Sequence, residues 1–348
     1  MKKIYTGIVI TLIFLLSVIQ SCRKENKPAP PPIVAPSSWT RLNSFPGGKV
    51  IVLETYHDSL YAASDSNLIY FSTNKGSSWT TSTLGSGIGI TALAVFKGRI
   101  YVGTYETGIF VSSDNGRSWT VQGVEISPVT SFVVWNDHLY ASSLLSSSNA
   151  FGAGGIYELD PTGNTWQLFN NAGLPVNHDV DVRKLIVAGQ TLLSVQGPND
   201  DYYTYNLALH TWEDNNYFVP YICCANMEDM IYDSGILLGT NGSNIFSKGA
   251  PATGWIYDTT DLKKVVNPVF APRVRALFSD SSQFYVLTNV PLGGTWIQHR
   301  SKSAALGSTW AVNEQLLQGN GYSYALREAG GAFFLATDKG IYYKKISP

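Results

Sequence analysis

The segment Ser112-Ser113-Asp114-Asn115-Gly116-Arg117-Ser118-Trp119 repeats an earlier one, Ser72-Thr73-Asn74-Lys75-Gly76-Ser77-Ser78-Trp79. The shared pattern is S-x-[DN]-x-G-x-x-W, and the two tryptophans stand 40 residues apart. Self-similarity at a period near 40 residues restricts a chain to propeller and solenoid architectures. Each copy has the chemistry of a hairpin tip. An Asn or Asp side chain bonds its own backbone two residues on, and Gly takes a positive φ without a steric penalty. The Trp then opens the next strand and buries its ring against neighbours.

The period continues beyond the two clear copies. Trp39, Trp79, Trp119, Trp166, Trp212, Trp255 and Trp310 are separated by 40, 40, 47, 46, 43 and 55 residues. Upstream of each Trp lie short runs of β-formers, such as Thr91-Ala92-Leu93-Ala94-Val95-Phe96 and Arg99-Ile100-Tyr101-Val102-Gly103-Thr104. Short strands at regular spacing with turn signals between them indicate an all-β chain. Each unit reads as strands A, B and C ending at the octapeptide, then strand D starting at the Trp.

The two ends are complementary. The segment at 37–42 matches strand D but has no A, B or C strand before it, whereas residues 322–345 supply A, B and C with no Trp strand after them. Pairing the first strand into the last unit closes a ring and removes its open edges. The expectation is an all-β, seven-bladed propeller of four-stranded antiparallel blades. Six blades is the alternative, because the stretch between Trp255 and Trp310 is irregular.

The octapeptide, with Ser72, Asn74, Gly76 and Trp79 in one copy and Ser112, Asp114, Gly116 and Trp119 in the other, resembles the Asp-box (BNR) repeat of the sialidase and sortilin-like propellers. In those families the box is structural and lies away from the active face. The resemblance also implies what a sialidase requires: three arginines on the substrate carboxylate, one in an Arg-Ile-Pro motif, with a Tyr/Glu nucleophile pair and an Asp acid. No Arg-Ile-Pro occurs here. No catalytic residue is assigned on this reading, and no cofactor or metal is expected, since none of the five histidines falls in a metal-binding pattern.

Residues 1–36 stand apart from the fold. Lys2 and Lys3 precede an apolar run from Ile8 to Ile19, too short for an ordinary membrane span. It ends at Ile19-Gln20-Ser21-Cys22, which resembles a bacterial lipobox with Cys22 as the acylated residue, although Gln20 departs from the usual small or aliphatic residue there. The alternative is a plain signal peptide with an incidental Cys. The expected organisation is a lipoprotein leader at 1–21, a Pro-rich tether at 22–36 and a propeller at 37–348. The chain thereby resembles envelope lipoproteins of Bacteroidetes-type bacteria, expected to reach the membrane through the lipid anchor and to be monomeric. Cys223 and Cys224 are adjacent, and they form either a vicinal disulfide or two partly buried thiols.

A net charge of −1 gives no electrostatic grip on nucleic acid. If a ligand site exists, the repeat register places it at the mouth of the central channel, where the A strands begin. Anchoring on the strand-B aromatics Tyr61, Tyr101, Tyr140 and Phe334 makes Ile51, Thr130, Arg183, Met227, Arg275 and Tyr324 equivalent to Thr91. Tyr105 falls in a B–C loop on the same face. Arg183 and Arg275 then either clamp a carboxylate or sulfate or neutralise acids such as Asp179 and Asp181. The function expected is non-catalytic binding of a protein or glycan. The alternative is a divergent glycoside hydrolase, which needs two carboxylates facing each other at roughly 5–9 Å.

Overall fold

The computed structural model describes residues 39–65, 67–123, 126–144, 154–170, 172–174, 182–196, 202–215, 227–249, 254–258, 272–291, 294–317 and 321–346. Cys22, Cys223, Cys224, Asp179 and Asp181 lie outside them, as do residues 1–38.

Within this range the strands form seven antiparallel sheets of four strands each. Blades 1 to 6 are consecutive in the chain, over residues 52–83, 90–122, 129–168, 182–214, 229–258 and 273–317. Blade 7 takes strands A, B and C from Ser323–Ala329, Ala332–Thr337 and Gly340–Lys345, and its strand D is the first strand of the fold, Thr40–Arg41. Thr40 pairs with Tyr343 and Arg41 with Tyr342, so the two ends of the ring close on each other. The A strands pack against one another around the centre, and that of blade 7 touches those of blades 6 and 1.

Every blade is covered on both faces, and the apolar core is therefore divided among the seams. Ala63, Ile69 and Phe71 of blade 1 pack on Ile90, Leu93, Ile100 and Phe110 of blade 2. The seam between blades 7 and 1 buries Phe334, Ala336 and Ile341 against Leu53, Leu60 and Ala62. Strands buried on both faces are apolar along their length rather than alternating, which explains runs such as Leu68-Ile69-Tyr70-Phe71 and Ile109-Phe110-Val111.

The octapeptides form the C–D turns and fasten each blade to the one before it. In the first copy the Gly76 amide donates to Ser72 Oγ at 2.8 Å and the Ser78 amide to Asn74 Oδ1 at 2.9 Å. The second repeats this with Gly116 to Ser112 at 2.7 Å and Ser118 to Asp114 at 2.9 Å. Gly116 sits at φ +80°, and a Cβ there would lie 2.4 Å from the Phe71 ring, so both conformation and contact require glycine. Across the seam, Ser82 on the last strand of blade 1 donates to the Gly116 carbonyl and accepts the Trp119 indole N–H at 2.8 Å. Trp119 also stacks on Phe71, with ring centroids 6.5 Å apart.

Blade 6 lacks the octapeptide and builds the same fastening from other residues. Arg300 occupies the position of Ser72, and Asp258 on the last strand of blade 5 receives the Gly307 amide at 2.9 Å and the Trp310 indole N–H at 3.1 Å.

Candidate functional site

Five of the blades carry a β-bulge near the start of strand A. Pairing skips one residue between Ile90 and Ala92, Val129 and Ser131, Val182 and Lys184, Val274 and Ala276, and Ser323 and Ala325. The skipped residues are Thr91, Thr130, Arg183, Arg275 and Tyr324. A bulged residue drops out of the ladder and is re-aimed, and all of these line one central cavity of about 470 Å³. Ile51 lines it too, its amide bonded to the Ala63 carbonyl although Ala63 pairs with Val52.

In blade 5 the register differs from the sequence expectation by one residue. The Glu228 amide bonds to the Thr240 carbonyl while Thr240 pairs with Asp229, so Glu228 holds the bulge position and lines the cavity. Met227 falls in the buried ring just outside, with Val50, Ile90, Val129, Val182 and Val274. Strand B of blade 5 has Leu238 where blade 2 has Tyr101, and blade 4 has Leu193 there, so neither carries an aromatic to anchor the register. The A–B turn is the better ruler: Lys97-Gly98 and Ser234-Gly235 share positive φ values of 46° and 73° against 50° and 80°. Seven residues back from each glycine stand Thr91 and Glu228.

The mouth therefore reads, in ring order, Ile51, Thr91, Thr130, Arg183, Glu228, Arg275 and Tyr324, with an acid between two arginines. Glu228 is engaged by exposed Arg273. The Arg275 guanidinium lies 5.8 Å from the Tyr324 ring centroid, and Lys49 lies 5.4 Å from the same centroid while bridging Asp65 at 2.9 Å. Thr91 Oγ1 is buried in this wall with no hydrogen-bonding partner among the described residues. Thr130 Oγ1, by contrast, donates to the Val182 carbonyl at 2.7 Å. Tyr105 is exposed on its loop and is not part of the cavity lining.

Below the mouth the polar residues tie neighbouring A strands together. Ser131 Oγ accepts the Leu185 amide at 2.9 Å, and at the equivalent place Asp229 Oδ2 accepts the Leu277 amide at 2.8 Å. Asp229 also pairs with Lys184, and Glu54 of blade 1 pairs with Arg327 of blade 7 through an Nε–Oε2 contact of 2.9 Å. All three carboxylates of the lining, Glu54, Glu228 and Asp229, are thus held by a basic side chain. Among the described residues no group of three His, Cys, Asp or Glu could hold a metal ion.

A scan against protein-family models finds no match for this chain, and a search of curated proteins finds none. Solved structures do resemble it. YCF48 bound to a D1 peptide superposes with a TM-score of 0.63 at 14% identity, covering 90% of this chain and 98% of that one. YCF48 from Cyanidioschyzon merolae gives 0.64 at 11% identity, over 89% of this chain and 99% of the other. The extracellular domain of BT4673, a putative one-component system of B. thetaiotaomicron, gives 0.66 at 13% identity over 89% of this chain, which spans 40% of that one. At these identities the likeness is one of fold, and the fold is the seven-bladed, four-stranded β-propeller.

Proposed function

We propose that this chain is an Asp-box propeller of the bacterial cell envelope that binds an acidic protein or glycan at the mouth of its central cavity and does not cleave it. The observation that carries the reading is the convergence of Arg183, Arg275 and Tyr324 on one cavity mouth by the same bulge in their three blades. Guanidinium groups bind carboxylates and sulfates through paired hydrogen bonds, and an aromatic ring beside them offers a flat apolar contact. Propellers of this fold include one solved with a peptide bound and extracellular domains of bacterial sensor proteins, which supports a binding role outside the cytoplasm. On this proposal residues 1–21 are the leader, Cys22 carries the lipid, 22–36 form the tether and 37–348 the binding domain.

Hydrolysis has less support. A glycosidase turns a pair of carboxyl groups on its substrate, whereas Glu54, Glu228 and Asp229 are each already engaged in an ion pair, with Arg327, Arg273 and Lys184.

The test is a screen of the purified protein against glycan and acidic-peptide arrays, repeated with Arg183→Ala and Arg275→Ala. Each substitution should leave the unfolding temperature unchanged and weaken the ligand about tenfold or more, the scale of one charge-assisted hydrogen bond. Release of sialic acid from a fluorogenic substrate, abolished by the same substitutions, would make the protein an enzyme.

A further inference from the structure

A second pocket opens in the seam between blades 6 and 7, at the turn end of the blades and away from the cavity mouth. It holds about 190 Å³ and is walled by Trp39, Tyr285, Ile297 and Phe333. Gln283, His299, Lys344 and Lys345 bring polar groups to the lining, and two of their atoms, Gln283 Oε1 and His299 Nδ1, are buried without a hydrogen-bonding partner among the described residues. Leaving two buried polar atoms unpaired is unfavourable by about 1–3 kcal/mol each.

Comparison with the seam between blades 1 and 2 explains why the space exists. His299 faces Tyr285 across strands B and C as Phe71 faces Tyr61, and Trp39 stands where Trp119 stands, one residue before the partner of that C-strand position. In the earlier seam the Phe71 ring stacks on Trp119 and fills the gap. In the later one Trp39 stacks instead on Phe333 of its own blade, centroids 6.5 Å apart, and Phe333 meets Tyr285 edge-on at 5.3 Å. The smaller imidazole leaves a slot with aromatic walls. Burial pushes His299 below its ordinary pKa, so the ring is neutral and supplies one donor and one acceptor.

We infer that this seam pocket is a binding site for a small, neutral aromatic carboxamide: the ring lies against Trp39, Tyr285 and Phe333, and the amide satisfies Gln283 and His299 at once. A planar carboxamide carries a donor and an acceptor side by side, which matches a side-chain amide and an imidazole in either orientation of the Gln. A charge on the ring itself would be desolvated between the aromatic walls. Benzoate, the anion that Lys344 and Lys345 of the lining would favour, should bind more weakly than the carboxamide, and tighter binding of benzoate would overturn the choice of a neutral ligand. The ligand would touch the first strand of the fold, the last strand and blade 6 together, so binding should stabilise ring closure by linkage.

Benzamide is the probe. Saturation-transfer NMR and thermal unfolding of the full-length protein should show saturable binding at about millimolar concentration and a rise in unfolding temperature. His299→Phe places in the slot the ring that blade 1 has there, and should abolish binding while leaving the protein as stable or more so. Gln283→Met, which keeps the histidine, should weaken benzamide about tenfold, and toluene should bind the wild type more weakly by a similar factor. Absence of benzamide binding up to about 10 mM, equal binding of toluene, or binding untouched by both substitutions would overturn the inference.

Discussion

Asp258 is the residue whose loss the fold should feel most sharply. Its carboxylate is only 2% exposed and accepts four hydrogen bonds: from Arg300 Nη1 at 2.6 Å, Ser247 Oγ at 2.7 Å, the Gly307 amide at 2.9 Å and Trp310 Nε1 at 3.1 Å. Arg300 is itself 3% exposed and lies over the fully buried Trp310 ring, 4.8 Å from its centroid. Asp258→Leu leaves three neutral donors without an acceptor, about 1 kcal/mol each, and strands a guanidinium in a dry seam. Breaking a buried pair from one side is destabilising by about 3–5 kcal/mol, a large share of the roughly 5–15 kcal/mol that holds a domain together. Adding Arg300→Met removes the stranded charge and fills its volume, so the double variant should recover the charge penalty and stay below the wild type only by the three unmet neutral donors, about 3 kcal/mol. Guanidinium unfolding at neutral pH, followed by tryptophan fluorescence, measures all three proteins. A single variant within about 1 kcal/mol of the wild type, or a double variant no more stable than the single, would refute the reasoning.

Three further outcomes are expected. Trp39→Ala should destabilise the domain by about 3–5 kcal/mol, because Trp39 is buried just before the strand that closes blade 7; unchanged thermal unfolding would rule out closure by that strand. Hydrogen bonds from the Ser118 hydroxyl, the Ser118 amide and the Ser112 hydroxyl hold the Asp114 carboxyl at about 2, below its ordinary 3.8. A carboxyl depressed in the folded state adds stability that is complete above its unfolded pKa and disappears as pH falls through the folded one. Stability should therefore drop between about pH 4 and pH 2, and less steeply in Asp114→Asn, as acid titration of circular dichroism would report. Cys22→Ala should release the protein from the membrane fraction or block its maturation, and membrane partitioning of that variant with acyl label intact would disprove the lipid anchor.

The repeat made the architecture legible because everything that specifies it is local. A Ser, an Asn or Asp, a Gly and a Trp at fixed offsets dictate a turn and a strand start, and runs of β-formers between turns dictate the rest. Counting those units, and seeing that 37–42 and 322–345 complete each other, pointed to seven blades and their closure, and the sheet formed by 273–317 removes the six-blade alternative that the irregular stretch before Trp310 had left open. The mouth residues Thr91, Thr130, Arg183, Arg275 and Tyr324 were also within reach, because a constant spacing to the A–B turn carries the register from blade to blade.

What the sequence left open is whatever depends on which side chain meets which across a seam. Glu228, not Met227, holds the blade 5 position, as the backbone pairing of Thr240 shows and as the spacing to the Ser234-Gly235 turn agrees. Nothing near Arg300 in sequence points to Asp258, 42 residues away in the preceding blade, and their pairing exists only once two blades are packed. The pocket at His299 likewise comes from a ring that is absent relative to another seam. A period in sequence repeats the backbone faithfully, but it does not require the side chains of neighbouring repeats to match, and it is in those mismatches that the tertiary structure places this protein's charges and its cavities.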